Sequence, residues 1–499
     1  MNKLKEMLGR SSGSESIINS VAAIQSKSRA LGLFDQATNK LGFSPKELWA
    51  AQQAINTVYT DYLIPPDLTT YTQHPFIFLV HPRDYIDELR NVSEFFDIPV
   101  WAKSPALDIR QGIDFDVICQ IFQELKTVGG FHLSNYIFED RPDNILGSIM
   151  SVAMTIPELM RIQETESLLL KRKLLGLVQA DILNTAILGA RGGATIFGAG
   201  EWIGGLTNHG KTLLKGLRRA FPGKRDEFVV VTGHDATVVY MQATIEELIR
   251  QVTGCEPAAV LSQEPVLVVG CGSIGASAIT SLVHDYSIPK VILQDLDTTS
   301  KRSGVNRLAA ALREIRSDIE LEIVLTERGD SQNQALYRAA KMARIWLLAP
   351  AVSHAIVTKL DRIRNDGVIA CDDSQPTAIS KEVALSVKVA VAWPVGGLAI
   401  NGMGSLIRHF PTGLLSTNGR DCAAYSCERQ AIAASLARQR GIDLSQYSCM
   451  VPGKVTYERV VSMRQLFHLL GMQILPEELQ SYGQPITSQI AEVRERWHQ

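Results

Sequence analysis

Short unbroken apolar runs alternate along this chain with longer stretches in which apolar residues return every three or four positions. Phe76-Ile77-Phe78-Leu79-Val80 is the first run, ended by His81-Pro82-Arg83-Asp84. A second, Ser148 to Met154, stops at Thr155-Ile156-Pro157. Leu168 to Leu188 has the helical period. It leads into a strand at Ala194-Thr195-Ile196-Phe197 and the loop Gly198-Ala199-Gly200-Glu201-Trp202-Ile203-Gly204-Gly205. Another strand, Phe228 to Val231, ends at Thr232-Gly233-His234-Asp235, and a helix follows to Gln251. Strands alternating with helices predict an α/β fold on parallel sheet. Both ends of the chain read as helical. Ser44 and Pro45 mark a helix start near the N-terminus, and Glu428 to Arg440 and Tyr457 to Leu470 are the C-terminal helices.

The most specific pattern lies between them. The apolar strand Val266-Leu267-Val268-Val269 runs directly into Gly270-Cys271-Gly272-Ser273-Ile274-Gly275, a GxGxxG. A helix follows from Ala276 to His284, then a strand Val291-Ile292-Leu293-Gln294 ending at Asp295. In this context Gly270 permits the tight turn, Gly272 lets the backbone approach a pyrophosphate, and Gly275 lets helix pack on strand. Ser273 and Ile274 open the helix, whose free N–H groups attract phosphate. Asp295 has the spacing of the acid that binds a ribose, which favours NAD, while Lys301 and Arg302 nearby leave room for NADP. Further strands at Ile319 to Leu325, Ile345 to Leu348 and Gly367 to Cys371 complete a Rossmann-type doubly wound sheet. The organisation expected is a helical extension over 1–74, an α/β substrate domain over 75–255, a Rossmann domain over 256–395 and a C-terminal helical segment over 396–499. The stretch Thr253 to Glu264 is the linker.

Composition narrows the classes. With 45% hydrophobic and 20% charged residues in 499, the chain has an ordinary globular balance. A net charge of −2 gives no support for general binding of nucleic acid or anionic membrane. Seven cysteines with no CxxC argue against a zinc ribbon or redox pair and suggest free thiols in the cytoplasm. The N-terminus lacks an apolar signal core. The longest apolar stretch, Val389 to Ile400, contains Pro394 and falls short of the ~20 residues of a spanning helix. No membrane span and no metal site are expected, and the oligomeric state is open.

One cysteine stands apart. Arg420-Asp421-Cys422-Ala423-Ala424-Tyr425-Ser426-Cys427-Glu428-Arg429-Gln430 precedes a helix that either Asp421 or Ser426 caps. With Ser426 as cap, Cys427 sits at the first helical position, where the helix dipole favours thiolate. With Asp421 as cap, Cys422 takes that place. The plain alternative is that both are small core residues. Other polar features have equally plain readings: His81 and Arg83 as a turn, the basic run Lys211 to Arg225 as a solvated helix face, Asp372-Asp373 as a cap, and Ser353-His354 as loop polarity.

In their order, these features resemble the aldehyde-forming long-chain acyl-ACP reductases of cyanobacteria and their wider bacterial relatives, over roughly residues 75–476. The resemblance rests on His81-Pro82-Arg83-Asp84, on Gly198 to Gly210 with Thr207, on Thr232-Gly233 as the family's Thr-Gly-Asn turn, on Tyr425-Ser426-Cys427, and on Gly471. It implies that Cys427 attacks an acyl thioester carried by acyl-carrier protein or CoA, and that NADH or NADPH then reduces the enzyme thioester to aldehyde. It also implies that His234 is an acid/base or oxyanion donor, with Thr232 and Gly233 beside the cofactor. The chain departs from the family pattern at three places. Gly204 stands where serine is usual, His234 where the turn has asparagine, and Arg429-Gln430 where Ala-Glu follows the cysteine. A second resemblance competes: Asp295-Leu296-Asp297 with Asn306-Arg307 is similar to the core of ThiF-like adenylating enzymes, which would imply Mg-ATP and a carboxylate substrate. A nucleotide-binding protein without catalysis is the third reading.

Overall fold

The computed structural model describes residues 72–81, 131–138, 146–152, 167–327, 333–351, 355–374, 377–397, 406–408, 416–417, 420–421 and 423–499, with residues 69, 159 and 162. The Ser44-Pro45 helix start, Arg83, Asp84, Ser353, His354 and Cys422 lie outside the described residues. The chain divides into two compact units. The first includes Gly147–Thr195 and Lys215–Phe228 along with the strand at Phe76, and the second includes Ile196–Leu214 and Val229–Gln499.

In the first unit, β1 (Phe76–Val80) and β2 (Leu146–Ser151) run parallel, with Phe76 opposite Gly147. The Phe76 ring lies on that glycine, where any β-carbon would sit 2.0 Å from it. Helix α1 (Leu168–Arg191) starts behind Ser167, whose hydroxyl accepts from the Leu170 N–H. Val178, Ile182, Ala186 and Ala190 form its buried stripe, and Gly189 lets Ile77 approach. Among the described residues α1 is the one helix long and apolar enough to cross a membrane. A search for unbroken apolar runs passes over it because Lys171, Arg172 and Lys173 interrupt the pattern.

In the second unit, β3 (Ile196–Ala199) leads to α2 (Glu201–Leu206) and the start of the basic helix α3 (Lys211–Ala220). It pairs in parallel with β4 (Val229–Val231). Helix α4 (His234–Thr253) follows β4 and is buried without a break from His234 through Gln242. A helix covered on every side needs its polar residues satisfied internally, and this one carries Asp235, Thr237 and Gln242. The expected linker from Thr253 to Glu264 instead holds a short helix, Pro257–Leu261, begun by Pro257 at its first turn.

Then comes the central sheet. Its elements are β5 (Val266–Val269), α5 (Ser273–Asp285), β6 (Lys290–Leu296), α6 (Thr299–Ile315), β7 (Glu320–Thr326), α7 (Gln334–Met342), β8 (Ile345–Leu348), β9 (Val368–Asp372) and β10 (Val389–Ala392). The strands lie in the order β7-β6-β5-β8-β9-β10, all parallel. In chain sequence that is third, second, first, fourth, fifth, sixth, the doubly wound order of dinucleotide-binding domains. The fold is therefore α/β and Rossmann-type. β5, β8, β9 and β10 are buried at every position, which is why they read as continuous apolar runs.

Beyond the sheet, β11 (Val395–Gly397) pairs antiparallel with β12 (Ala423–Tyr425), which enters α8 (Ser426–Gln439). Helix α9 (Tyr457–Leu470) is capped by the Thr456 hydroxyl and closed by Gly471 at φ +67°, and α10 (Thr487–Trp497) ends the chain. Helices α5, α8, α9 and α10 all pack on α4. Asp285, at the end of α5, joins three of these elements. It accepts from Gln242 Nε2 of α4 at 2.7 Å, and from Tyr457 OH at 2.6 Å and Arg464 Nη1 at 2.9 Å on α9. Burial by itself would raise this carboxyl. The bonds from Tyr457, Gln242 and Arg464 outweigh burial and hold it below the ordinary aspartate range. A carboxyl depressed in the folded state adds stability above its unfolded pKa and loses it as pH falls through the folded one. Asp285→Asn is expected to cost about 1–3 kcal/mol at pH 7. In urea melts its gap from wild type should close as pH drops below the usual aspartate range.

Candidate functional site

The glycine loop between β5 and α5 has a built shape. Gly270 is at φ +83°, and a β-carbon there would lie 2.5 Å from Pro350 Cα, so no other residue fits. A β-carbon on Gly275 would meet the Gly270 carbonyl at 2.1 Å. Gly272, the residue before α5, faces open space with nothing within 4 Å of that position. Ser273 and Ile274 begin the helix behind it. An open glycine at a helix N-terminus fits a dinucleotide pyrophosphate.

Asp295 is tied into the glycine loop. Its side chain is 6% exposed, and its oxygens accept from the Cys271 N–H at 3.0 Å and the Leu296 N–H at 2.8 Å, with Lys301 Nζ at 3.4 Å. The acid therefore braces the glycine loop. The more exposed carboxylate past the strand end is Asp297, held by both Arg302 Nε and Nη2. Arg307 donates to Ser303 on its own helix, and no hydrogen bond or ion pair joins it to Asp295 or Asp297 among the described residues.

The thiol site is assembled at the other end of α4. Helix α8 begins at Ser426, with Tyr425 in the cap position and no side-chain cap. Cys427 is accordingly its second residue, and the expected caps Ser426 and Asp421 do not act as such. The Ser426 hydroxyl instead donates to Thr237 Oγ1 at 3.2 Å, joining the first turns of α8 and α4. Cys427, half-buried, rests on Gly233: a β-carbon on that glycine would lie 2.5 Å from Cys427 Cβ and 2.6 Å from its carbonyl oxygen. Gly233 is also at φ +78°, so this turn needs glycine twice over. Thr232 is buried and its hydroxyl accepts from the His234 N–H at 3.4 Å. The structure thus brings Cys427, Thr232, Gly233 and His234 together.

Two of the departures from the family pattern are one packing event. A β-carbon on Gly204 would lie 3.1 Å from both Cε1 and Nε2 of His234. The imidazole takes the room that a serine at 204 would use, so glycine accompanies histidine. Gln430 and Arg429 have structural duties. Gln430 Nε2 donates to Asp235 Oδ2 at 3.0 Å and to the Cys449 carbonyl at 2.7 Å. Arg429, fully buried, donates from Nε to Tyr240 OH at 3.0 Å and from Nη2 to the Gln473 carbonyl at 3.1 Å.

Three residues of this region escaped the sequence reading. Asp235, with no exposure, receives Arg459 Nε at 3.0 Å and Nη2 at 2.7 Å. Arg459 spends its remaining donors on the Ser448 and Val451 carbonyls. His209 stands with its ring 6.5 Å from that of His234, edge to face. The only sequence signal was its place in the segment Thr207 to Gly210, already singled out for its ends. Thr207 holds that segment, donating to the Ile203 carbonyl at 2.7 Å and accepting from the Gly210 N–H at 3.2 Å. Elsewhere, His81 is buried. Asp372 braces a loop, accepting from Ser374 and Ile379 N–H at 3.0 Å each. Burial raises its carboxyl to about 6, with those bonds pulling the other way.

Sheet order, glycine loop and a cysteine at a helix start define the class: a doubly wound dinucleotide-type fold carrying a candidate thiol site. No protein-family model matches the chain, and no curated protein matches it. Three solved structures superpose weakly. Glutamyl-tRNA reductase from Methanopyrus kandleri is 16% identical at TM-score 0.24, covering 63% of this chain and 61% of its own. The iminosuccinate reductase of Paracoccus denitrificans in complex with NAD+ is 12% identical at 0.24, covering 47% and 63%. L-tryptophan dehydrogenase from Nostoc punctiforme is 9% identical at 0.32, covering 88% and 90%. The chain spans less than two thirds of the first two. At such scores these likenesses carry no argument, and the fold class stands on the sheet order itself.

The site makes two expectations. Gly204→Ser alone should crowd His234 and destabilise by about 1–3 kcal/mol. Paired with His234→Asn, it should recover most of that, and additive losses in a double-mutant cycle would refute the shared packing. Among the five described cysteines, burial pushes the Cys271 and Cys449 thiols up to about 12 and raises the Cys371 thiol well above its ordinary value. Iodoacetamide at pH 7.5 (read by peptide mass) should therefore modify Cys427 and the exposed Cys255 before any of those three.

Proposed function

We propose that this chain is an NAD(P)-dependent oxidoreductase that reduces an acyl thioester to an aldehyde through Cys427. The observation that supports this most directly is the seating of Cys427 on the Gly233–His234 turn, in the same compact unit as the dinucleotide-type sheet. The likeness to the aldehyde-forming acyl-ACP reductases supports the choice of substrate, and the basic face of α3 suits an acidic carrier protein.

On this reading the thiolate of Cys427 attacks the thioester carbonyl carbon. The new carbon–sulfur bond forms first, the bond to the carrier then breaks as the carbonyl re-forms, and the departing thiolate takes up a proton. On this reading His234, at the start of α4, gives or takes that proton. Gly272 and the first N–H groups of α5 would hold the pyrophosphate, while Asp295 keeps the loop in shape. A bound reduced nicotinamide supplies the hydride that turns the enzyme thioester into aldehyde and frees Cys427. Lys301 and Arg302 suit a 2′-phosphate and Asp297 a free ribose, so NADH and NADPH compete on nearly balanced charge.

Calorimetry with NADH, NADPH and Mg-ATP titrated separately tests the reading. A nicotinamide nucleotide should bind to wild type and to Cys427→Ser, with aldehyde formed only by wild type. Gly272→Val should keep the melting temperature, since its side chain enters open space, and weaken binding at least about tenfold. Binding of Mg-ATP alone, or turnover by Cys427→Ser, refutes the proposal.

A further inference from the structure

The segment that carries His209 is held in an unusual backbone. Asn208, His209 and Gly210 have φ of +52°, +54° and +82°, three left-handed residues in a row, two of them not glycine. Left-handed backbone at a non-glycine residue costs on the order of 1 kcal/mol or more and survives where the surroundings impose it. Here the His209 N–H donates to the Gly204 carbonyl at 2.7 Å, and Thr207 Oγ1 accepts from the Gly210 N–H. Gly210 is hemmed in, with its β-carbon position 2.9 Å from Val230 and 3.5 Å from Pro452. Glycine at 209 would remove the strain, yet the chain spends it on turning an imidazole toward His234.

That imidazole is prepared for a partner from outside the chain. Its Nδ1 is buried, and no protein atom bonds it. Burial lowers its pKa, and Lys454, Lys211 and Arg459 lower it further. Asp235 alone acts the other way, and its charge is already met by Arg459 and Gln430. The ring is thus kept neutral in a positive surrounding. A neutral imidazole is a good hydrogen-bond donor to a carbonyl that gains charge, because it does not surrender its proton to it.

We propose that His209 is a second catalytic residue of the Cys427 site, whose Nδ1–H donates to the acyl carbonyl oxygen as Cys427 attacks. The inference rests on the acyl-thioester reading above. As the bond from sulfur to carbon forms, the carbonyl π pair moves onto oxygen, and His209 holds that oxyanion. When the pair returns, the bond to the carrier sulfur breaks, and His209 keeps its proton throughout. Proton transfer to the departing thiolate stays with His234.

The test follows acylation of Cys427 by an acyl-CoA probe, read as a mass increment on the intact chain, beside its alkylation by iodoacetamide. Alkylation displaces iodide and builds no oxyanion, so it reports the thiol alone. His209→Gly relieves the left-handed strain and should melt no lower than wild type, yet acylate about 100-fold more slowly, with alkylation unchanged. His209→Asn tolerates the same backbone and brings a short amide donor, and should regain about tenfold of the loss. Acylation of His209→Gly at the wild-type rate, a parallel fall in alkylation, or an asparagine variant as slow as glycine overturns the role of His209 alone. Failure of the wild type to acylate overturns the acyl-thioester reading and this inference together.

Discussion

Everything at the thiol site hangs on the carboxylate of Asp235. It lies fully buried in the first turn of α4, where the helix dipole favours negative charge. Removing such a group from water is expensive, and only near-ideal pairing makes up for it. Arg459 of α9 supplies two parallel N–H bonds and Gln430 of α8 a third. One anion thereby ties the first turns of three helices together. The start of α8 is then pressed onto Gly233 closely enough that no side chain fits between them. Remove the carboxylate, and a buried guanidinium loses its counter-charge while Cys427 loses its seat.

The same region shows how substitutions that look disruptive one by one are coherent in space. Histidine in place of asparagine at 234 needs more room, and glycine in place of serine at 204 provides it. Gln430 is the partner Asp235 requires, and Arg429 turns away to Tyr240 and the Gln473 carbonyl. In this region the rings of His209 and His234 stand edge to face.

The dinucleotide half is conservative by comparison. Its glycine loop is shaped by contacts with Pro350 and the Gly270 carbonyl, and Asp295 reaches across to clamp Cys271. The loop is therefore formed in advance of any ligand, and the charged side chains of Asp297, Lys301 and Arg302 follow the strand end.

The sequence by itself determined the sheet and the loop. Strands buried on both faces must be unbroken apolar runs, so Val266–Val269, Ile345–Leu348 and Phe76–Val80 are legible to the residue, and the glycine spacing is a local requirement of one turn. Thr456 and Gly471 likewise mark the ends of α9 by chemistry confined to a few positions. The site was legible only in pieces. Cys427 and the Thr232–His234 turn could be singled out from motifs, but their contact joins segments far apart in the chain, and such contacts leave no period to read. Nor does local pattern show which way a strand-end acid faces, and the bonds from the Cys271 and Leu296 amides to Asp295 appear only in the fold. Asp235 and His209 lay inside segments singled out for other residues and had no signature of their own. A buried ion pair and a left-handed histidine are meaningful only once tertiary packing has removed the water around them.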